Sequence, residues 1–334
     1  ATAYVDYSIL LDPFYPSLSI FLIFIVSTLL TYLRVESEKH QVRAAFGMYV
    51  APDVMRDLEK NPENLQLGGE NKQLSVMFTD IRQFTNISEG LTPEELIHLM
   101  NDFLTAMSDI VLEHQGTIDK YMGDAMMAFW NAPKDVEDHA RQTCTAALKM
   151  QKALEPINDR LGERAEAQGT EALLLQAGIG LNTGPCAVGN MGSHQRFAYS
   201  ALGDAVNLAS RLEGQTKAYG VNILIGEETH TQVLDMATLE MDLLRVKGKA
   251  YPVRVYALLG DEKMAQTPDF KTFKDAHNDM MVAYQAGEFN DAQKALKLAK
   301  KLDVFQLAVA YELYDERIRS LIKNAPEREW DGVY

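Results

Sequence analysis

Two aspartates mark the chemistry this chain could do. Asp80 closes the apolar run Leu74–Thr79, and Asp124 follows Gly123 between two short apolar segments, Gly116–Tyr121 and Ala125–Trp130. The first run reads as a buried strand ending at Asp80, and the second pair as a hairpin turning at Gly123-Asp124. Either aspartate alone could equally cap a helix or complete a turn. Together, two carboxylates at neighbouring strand ends are costly to keep ionised unless a cation lies between them. Hard oxygen ligands select Mg²⁺ or Mn²⁺, and a pair of such ions suits phosphate chemistry.

A second pattern supplies positive charge. Asn207 and Arg211 lie four apart on the helix expected after Gly203-Asp204, so they share a face. An amide beside a guanidinium suits a transition state over which negative charge spreads.

Taken in order, FTDIRQFT (78–85), DKYMGDAMMAFW (119–130), LGDAVNLASRLE (202–213) and RVKGK (245–249) resemble the class III nucleotidyl cyclases, over roughly Glu70 to Leu258. Four separated motifs in the family order are far more specific than any one of them. The resemblance implies formation of a cyclic nucleotide and pyrophosphate. It implies two Mg²⁺ (or Mn²⁺) per active site, held by Asp80, the Ile81 carbonyl and Asp124. The turn through Phe84 and Thr85 would offer N–H groups to phosphates. Asn207 would orient the ribose, Arg211 would stabilise the α-phosphate, and Lys247 would meet the terminal phosphates. Lys120 stands where adenylyl cyclases of this family carry lysine and guanylyl cyclases glutamate. A lysine can donate to N1 of adenine, so ATP is the expected substrate. Ser200 stands at the partner position, where aspartate or threonine is usual in adenylyl cyclases. A serine hydroxyl can accept from the adenine amino group but discriminates less than a carboxylate. In the family the metal aspartates come from one subunit, and the residues matching Lys120, Ser200, Asn207, Arg211 and Lys247 from the other. One chain here carries both sets, which implies a homodimer with shared sites. The alternatives are a guanylyl or dual-specificity cyclase, and a catalytically silent nucleotide-binding receptor module. A diguanylate cyclase would need a GGDEF-like turn where this hairpin reads MGDAM.

The elements that must position these residues follow from the pattern. From Lys72 the order is strand, helix, two strands, helix, strand, a ferredoxin-like β-α-β-β-α-β arrangement in an α/β (α+β) fold. Thr92-Pro93-Glu94-Glu95 is a helix start with capping-box spacing. Leu96, Met100, Phe103, Met107 and Ile110 follow at helical spacing. A second helix is expected near Glu137–Leu154, a loop or short exposed helix over 155–170, and a strand over Leu173–Leu181. The catalytic domain is expected over 70–260. Residues 261–334 read as a helical segment with two antiparallel helices and a third, faintly tetratricopeptide-like.

Pro16–Leu33 is uncharged and near the lower length that spans a bilayer. Residues 16–33 are expected to be a transmembrane helix in preference to a signal peptide, whose basic start and cleavage site are lacking, or a buried core helix. Residues 1–15 are then an extracytoplasmic remnant or linker and 34–69 a helical signalling linker. Val35, Val42 and Tyr49 recur every seven residues, the spacing of a short coiled coil. Arg34, Lys39 and Arg43 follow the span, which places the catalytic domain on the cytoplasmic side of the inner (plasma) membrane. The net charge of −15 argues against a nucleic-acid partner, whose phosphates require a basic face. Two cysteines, Cys144 and Cys186, in motif-free surroundings suggest neither a disulfide framework nor a zinc site.

Overall fold

The computed structural model describes residues 14–47, 67–169, 174–193, 195–245, 252–324 and 330–334. The chain divides into two compact units, Ala1–Glu59 and Lys60–Tyr334. In the first, helix α1 (Phe14–Gly47) is continuous from the apolar run into the charged segment that follows. Its part Phe14–Glu36 spans 23 residues at a mean hydropathy of 2.1, with no side chain buried in the unit. At 1.5 Å per residue that is roughly 35 Å, enough for a hydrocarbon core of about 30 Å. A helix exposed and apolar all round has the pattern of a membrane span. The heptad position Tyr49 and residues 1–13 lie outside the described residues.

The second unit is built on an eight-stranded sheet. Its strands are β1 (Gly68–Ile81), β2 (Thr117–Met122), β3 (Ala125–Trp130), β4 (Ala177–Gly192), β5 (Phe197–Leu202), β6 (Ile223–Gly226), β7 (Ala237–Leu244) and β8 (Val253–Gly260). The order is β2-β3-β1-β4-β6-β8-β7, with β5 paired to β4. The β4-β1-β3-β2 part is the ferredoxin-like order expected from the sequence. β1 lies antiparallel to β3 and β4, from Gly68↔Asn190 to Ile81↔Ala177. Side chains alternate along it. Met77 and Ile81 join the core on one face, while Leu74 and Val76 join the core on the other. Asp80 shares the second face by its even register.

The first face is covered by α3 (Pro93–Glu113) and α4 (His139–Ala153), the short α2 (Phe84–Glu89) preceding α3. Thr92 caps α3 with the full reciprocal capping box to Glu95. Its buried stripe is Leu99, Phe103, Met107 and Val111. Leu96, Met100 and Ile110 flank that stripe, because the helix is turned about one residue from the expected face. α5 (Glu155–Gln168) is a full helix where the sequence left a loop open.

The second face carries α6 (Asp204–Tyr219). It approaches β4 closely because Gly178 and Gly180 have no side chain. A Cβ at Gly180 would stand 2.1 Å from the Glu213 nitrogen and 2.2 Å from the Ala209 oxygen. After the short helices α7 (Glu227–His230) and α8 (Glu262–Gln266) come α9 (Pro268–Gln285), α10 (Phe289–Leu302) and α11 (Ala308–Lys323). These last three share one core with the sheet. Phe273, Tyr284, Tyr311 and Tyr314 pack with Leu239, Met241, Val255 and Ala257, and with Leu212 and Tyr219 of α6. Buried polar bonds tie the same layers. Tyr219 Oη donates to Asp242 Oδ2 at 2.6 Å, and Arg317 Nη1 donates to the same oxygen at 2.7 Å.

Candidate active site

The sequence puts the two candidate metal aspartates at strand ends. Asp80 is the penultimate residue of β1, and Asp124 sits in the β2–β3 turn behind Gly123, whose φ of 70° needs no Cβ. The antiparallel pairing of Thr79 with Met126 brings the two carboxyl groups close enough to interact. Burial, Asp124 and Glu213 push the Asp80 carboxyl up to about 7. The Ile81 N–H opposes the shift by donating to the same carboxyl. One Asp80 oxygen, Oδ1, is buried without a hydrogen-bond partner. Two neighbouring carboxyls with a buried orphan oxygen fit a divalent cation, which would take both as ligands and favour their ionised forms. Among the described residues, no group of three or more His, Cys, Asp or Glu side chains is placed to hold a metal. A cation here would therefore complete its shell with the Ile81 carbonyl, water or substrate oxygens. Phe84 and Thr85 are the first residues of α2, where N–H groups have no acceptor within the helix.

Glu213 is a member of this neighbourhood that the motif reading passed over. Its carboxyl is pushed up by burial, opposed by Arg82, and raised further by Asp124. Arg82, itself half-buried, donates from Nη2 to the Val221 carbonyl. The signal was present as the last letter of LGDAVNLASRLE, but only the packing of α6 on β4 shows where it points.

Asn207 and Arg211 are both exposed on α6. Glu213, two residues beyond Arg211, lies about 200° around the helix from it at 100° per residue. The Asn207/Arg211 face therefore points away from the face that carries Glu213 towards Asp80.

A third cluster forms at β2 and β5. Lys120 Nζ lies 3.5 Å from Ser200 Oγ, 80 residues along the chain. The pair expected to read a base is thus side by side. Beneath it is Asp119, another residue the motif reading passed over. Ser200 Oγ donates to Asp119 Oδ2 at 2.6 Å, and Lys120 Nζ is 3.3 Å from Asp119 Oδ1. Lys247 lies outside the described residues. Cys144 and Cys186 are both buried free thiols, pushed up by burial to about 12 and about 11. They are inert packing residues.

Comparison with known proteins places the site in a family. Residues 69–260 match the adenylate and guanylate cyclase catalytic domain, and the chain belongs to this family of class III nucleotidyl cyclases. Adenylate cyclase 1 of Rhizobium meliloti is 33% identical over 231 residues, covering 68% of this chain and 33% of that protein. An adenylate cyclase of Anabaena cylindrica is 36% identical over 202 residues, covering 58% of this chain and 38% of that protein. The chain thus spans little more than a third of the length of these curated relatives. Among solved structures, the adenylyl cyclase CyaB from P. aeruginosa superposes with a TM-score of 0.50 at 37% identity, covering 58% of this chain and 97% of that one. The guanylyl cyclase Cya2 superposes with a TM-score of 0.51 at 32% identity, covering 58% and 95%.

Proposed function

We propose that the chain is an adenylyl cyclase that converts ATP to 3′,5′-cyclic AMP and pyrophosphate, in sites shared across a homodimer. The observation that carries this reading is the Asp80–Asp124 pair with its orphan oxygen, within a chain that also presents Lys120 beside Ser200. Asp80, Asp124 and the Ile81 carbonyl would hold Mg²⁺ or Mn²⁺, two ions per site. When bound, such ions supply Lewis acidity towards the 3′-hydroxyl and the triphosphate.

The chain's own residues do the rest. Lys120 donates to N1 of adenine, and Ser200 accepts from its amino group. This fixes the base, and through it the ribose, so that the 3′-oxygen faces the α-phosphate in line. Asn207 holds the ribose ring. Arg211 lies against the α-phosphate, where its fixed charge stabilises the developing negative charge. Phe84 and Thr85 present N–H groups to the phosphates, and Lys247 balances the terminal ones.

The opposed faces of α6 support a shared site. Asn207 and Arg211 point away from the Asp80 cluster of their own chain, so a second copy would supply them. α1 supports a membrane tether through residues 16–33, and the basic residues after the span favour a cytoplasmic catalytic domain. On this reading 70–260 is the catalytic domain and 261–334 a helical segment packed on it.

The test is product formation by the purified chain given ATP and GTP in parallel, with Mg²⁺ and with Mn²⁺, beside an Asp124→Ala control. Cyclic AMP from the parent chain alone supports the reading. Similarity to the guanylyl cyclase Cya2 keeps a second reading in view, for which cyclic GMP would be the main product. No product from a folded dimer would favour a silent nucleotide-binding module.

A further inference from the structure

We propose that Asp119 sets the base preference by holding the Ser200 hydroxyl as a hydrogen-bond acceptor. The inference rests on the reading of Lys120 and Ser200 as the base pocket. A free serine is an indifferent reader, because its hydroxyl can turn to donate or to accept. Adenine presents a donor, its amino group, where guanine presents a carbonyl acceptor. An indifferent hydroxyl would therefore serve both bases.

In this chain the hydroxyl is not free to turn. Its one proton is committed to Asp119 Oδ2 at 2.6 Å. The Asp119 side chain is fully buried, and its Oδ2 accepts the Ser200 proton. Lys120 Nζ, 3.5 Å from Ser200 Oγ, carries protons and no lone pair, so towards the serine it can only donate. With its proton given to Asp119 and one lone pair taken by Lys120, Ser200 keeps one lone pair, with which it can only accept. An adenine amino group meets an acceptor there, while a guanine carbonyl meets a like partner. The Asp119–Ser200 dyad does through one hydroxyl what a carboxylate would do directly.

The backbone explains how two consecutive residues reach one serine. The β2–β3 register slips between Ile118 and Lys120, so Asp119 is the extra residue of a β-bulge. A bulge re-aims a side chain that strict alternation would send to the opposite face. Asp119 is thus a positioning residue: it acts on the base through Ser200.

The test compares kcat/KM for ATP and GTP, together with equilibrium dissociation constants for both nucleotides, so that a slow enzyme still reports. The chains are the parent, Asp119→Ala, Asp119→Asn, Ser200→Ala and the Asp119→Ala/Ser200→Ala double variant, each confirmed as folded by circular dichroism. Loss of one neutral hydrogen bond's worth of discrimination predicts that Asp119→Ala lowers the ATP-to-GTP ratio about tenfold. Asp119→Asn should lower it less, since an amide oxygen can still accept. The change should vanish in the Ser200→Ala background. A ratio within twofold of the parent in Asp119→Ala overturns the proposal, as does a change that persists undiminished without the Ser200 hydroxyl. A purely structural role would weaken both nucleotides equally. Lys120→Glu separates the two levels. If it moves the ratio and Asp119→Ala does not, the dyad fails while the pocket stands; if neither moves it, the pocket reading fails too.

Discussion

The carboxyl of Asp80, at the end of β1, lies close enough to that of Asp124, in the β2–β3 turn, for the two to influence each other's charge. Burial, Asp124 and Glu213 push the Asp80 carboxyl up to about 7 from an ordinary value of 3.8. Between those two values the folded chain binds more protons than the unfolded one, so stability falls as pH rises through that window. Asp80→Asn removes this dependence. Its Tm at pH 8 without metal should exceed the parent's, by about 2–4 °C for each 1 kcal/mol of relieved repulsion. Thermal melts at pH 5 and pH 8 check this. Equal slopes for both chains would contradict it.

The Asp80 proton competes with metal. Below about pH 7, Mg²⁺ affinity should fall about tenfold per pH unit, because each ion bound must displace the Asp80 proton. Mg²⁺ should raise the melting temperature of the parent at pH 8 and leave Asp80→Asn nearly unchanged. Calorimetric titration at pH 6 and pH 8 measures the affinity directly.

On the proposed reading Arg211 acts in the transition state rather than in substrate capture. Arg211→Ala should lower kcat by about 10²–10³, with a much smaller change in KM. A large rise in KM at unchanged kcat would place Arg211 in ground-state binding instead. Lys120→Glu should act mainly on KM for ATP.

The close contact of α6 with β4 depends on glycine. Gly180→Ala would set a Cβ 2.1 Å from the Glu213 nitrogen, and the obstacle is backbone on both sides. The helix must move, and with it Asn207, Arg211 and Glu213. Overpacking of this kind costs about 1–3 kcal/mol. Denaturant melts should show that loss, and activity should fall further than stability alone explains.

Much of this was legible locally. The strand before Asp80, the hairpin at Gly123-Asp124 and the Thr92–Glu95 cap are short-range patterns, and each is present. So is the pairing of Lys120 with Ser200, which the motifs implied across 80 residues. What the sequence did not show depends on long-range packing or register. Asp119 needs a bulge to reach Ser200, and no local pattern announces a bulge. Glu213 matters because α6 turns it towards Asp80. The three C-terminal helices were readable as helices, but their seat on β7 and β8 depends on partners such as Asp242 and Arg317, 75 residues apart.

That seat gives a further prediction. The Asp242 and Arg317 side chains are only 3% and 14% exposed. Removing one partner of a buried ion pair costs about 3–5 kcal/mol, because the other is left uncompensated. Arg317→Met should therefore destabilise the whole second unit in urea. Double replacement with Asp242→Leu should recover part of the loss.

The most direct measurement mixes two defective chains. On the proposed reading Asp80→Ala loses a metal ligand and Arg211→Ala loses the phosphate guanidinium, so each homodimer should be inactive. If one site draws Asp80 and Asp124 from one copy and Arg211 from the other, a heterodimer of the two variants holds one intact site and one doubly defective site. Verified heterodimers should then form cyclic AMP at about half the parent rate per dimer, a value set by counting sites in a symmetric pair. Heterodimers as inactive as either homodimer would contradict the account.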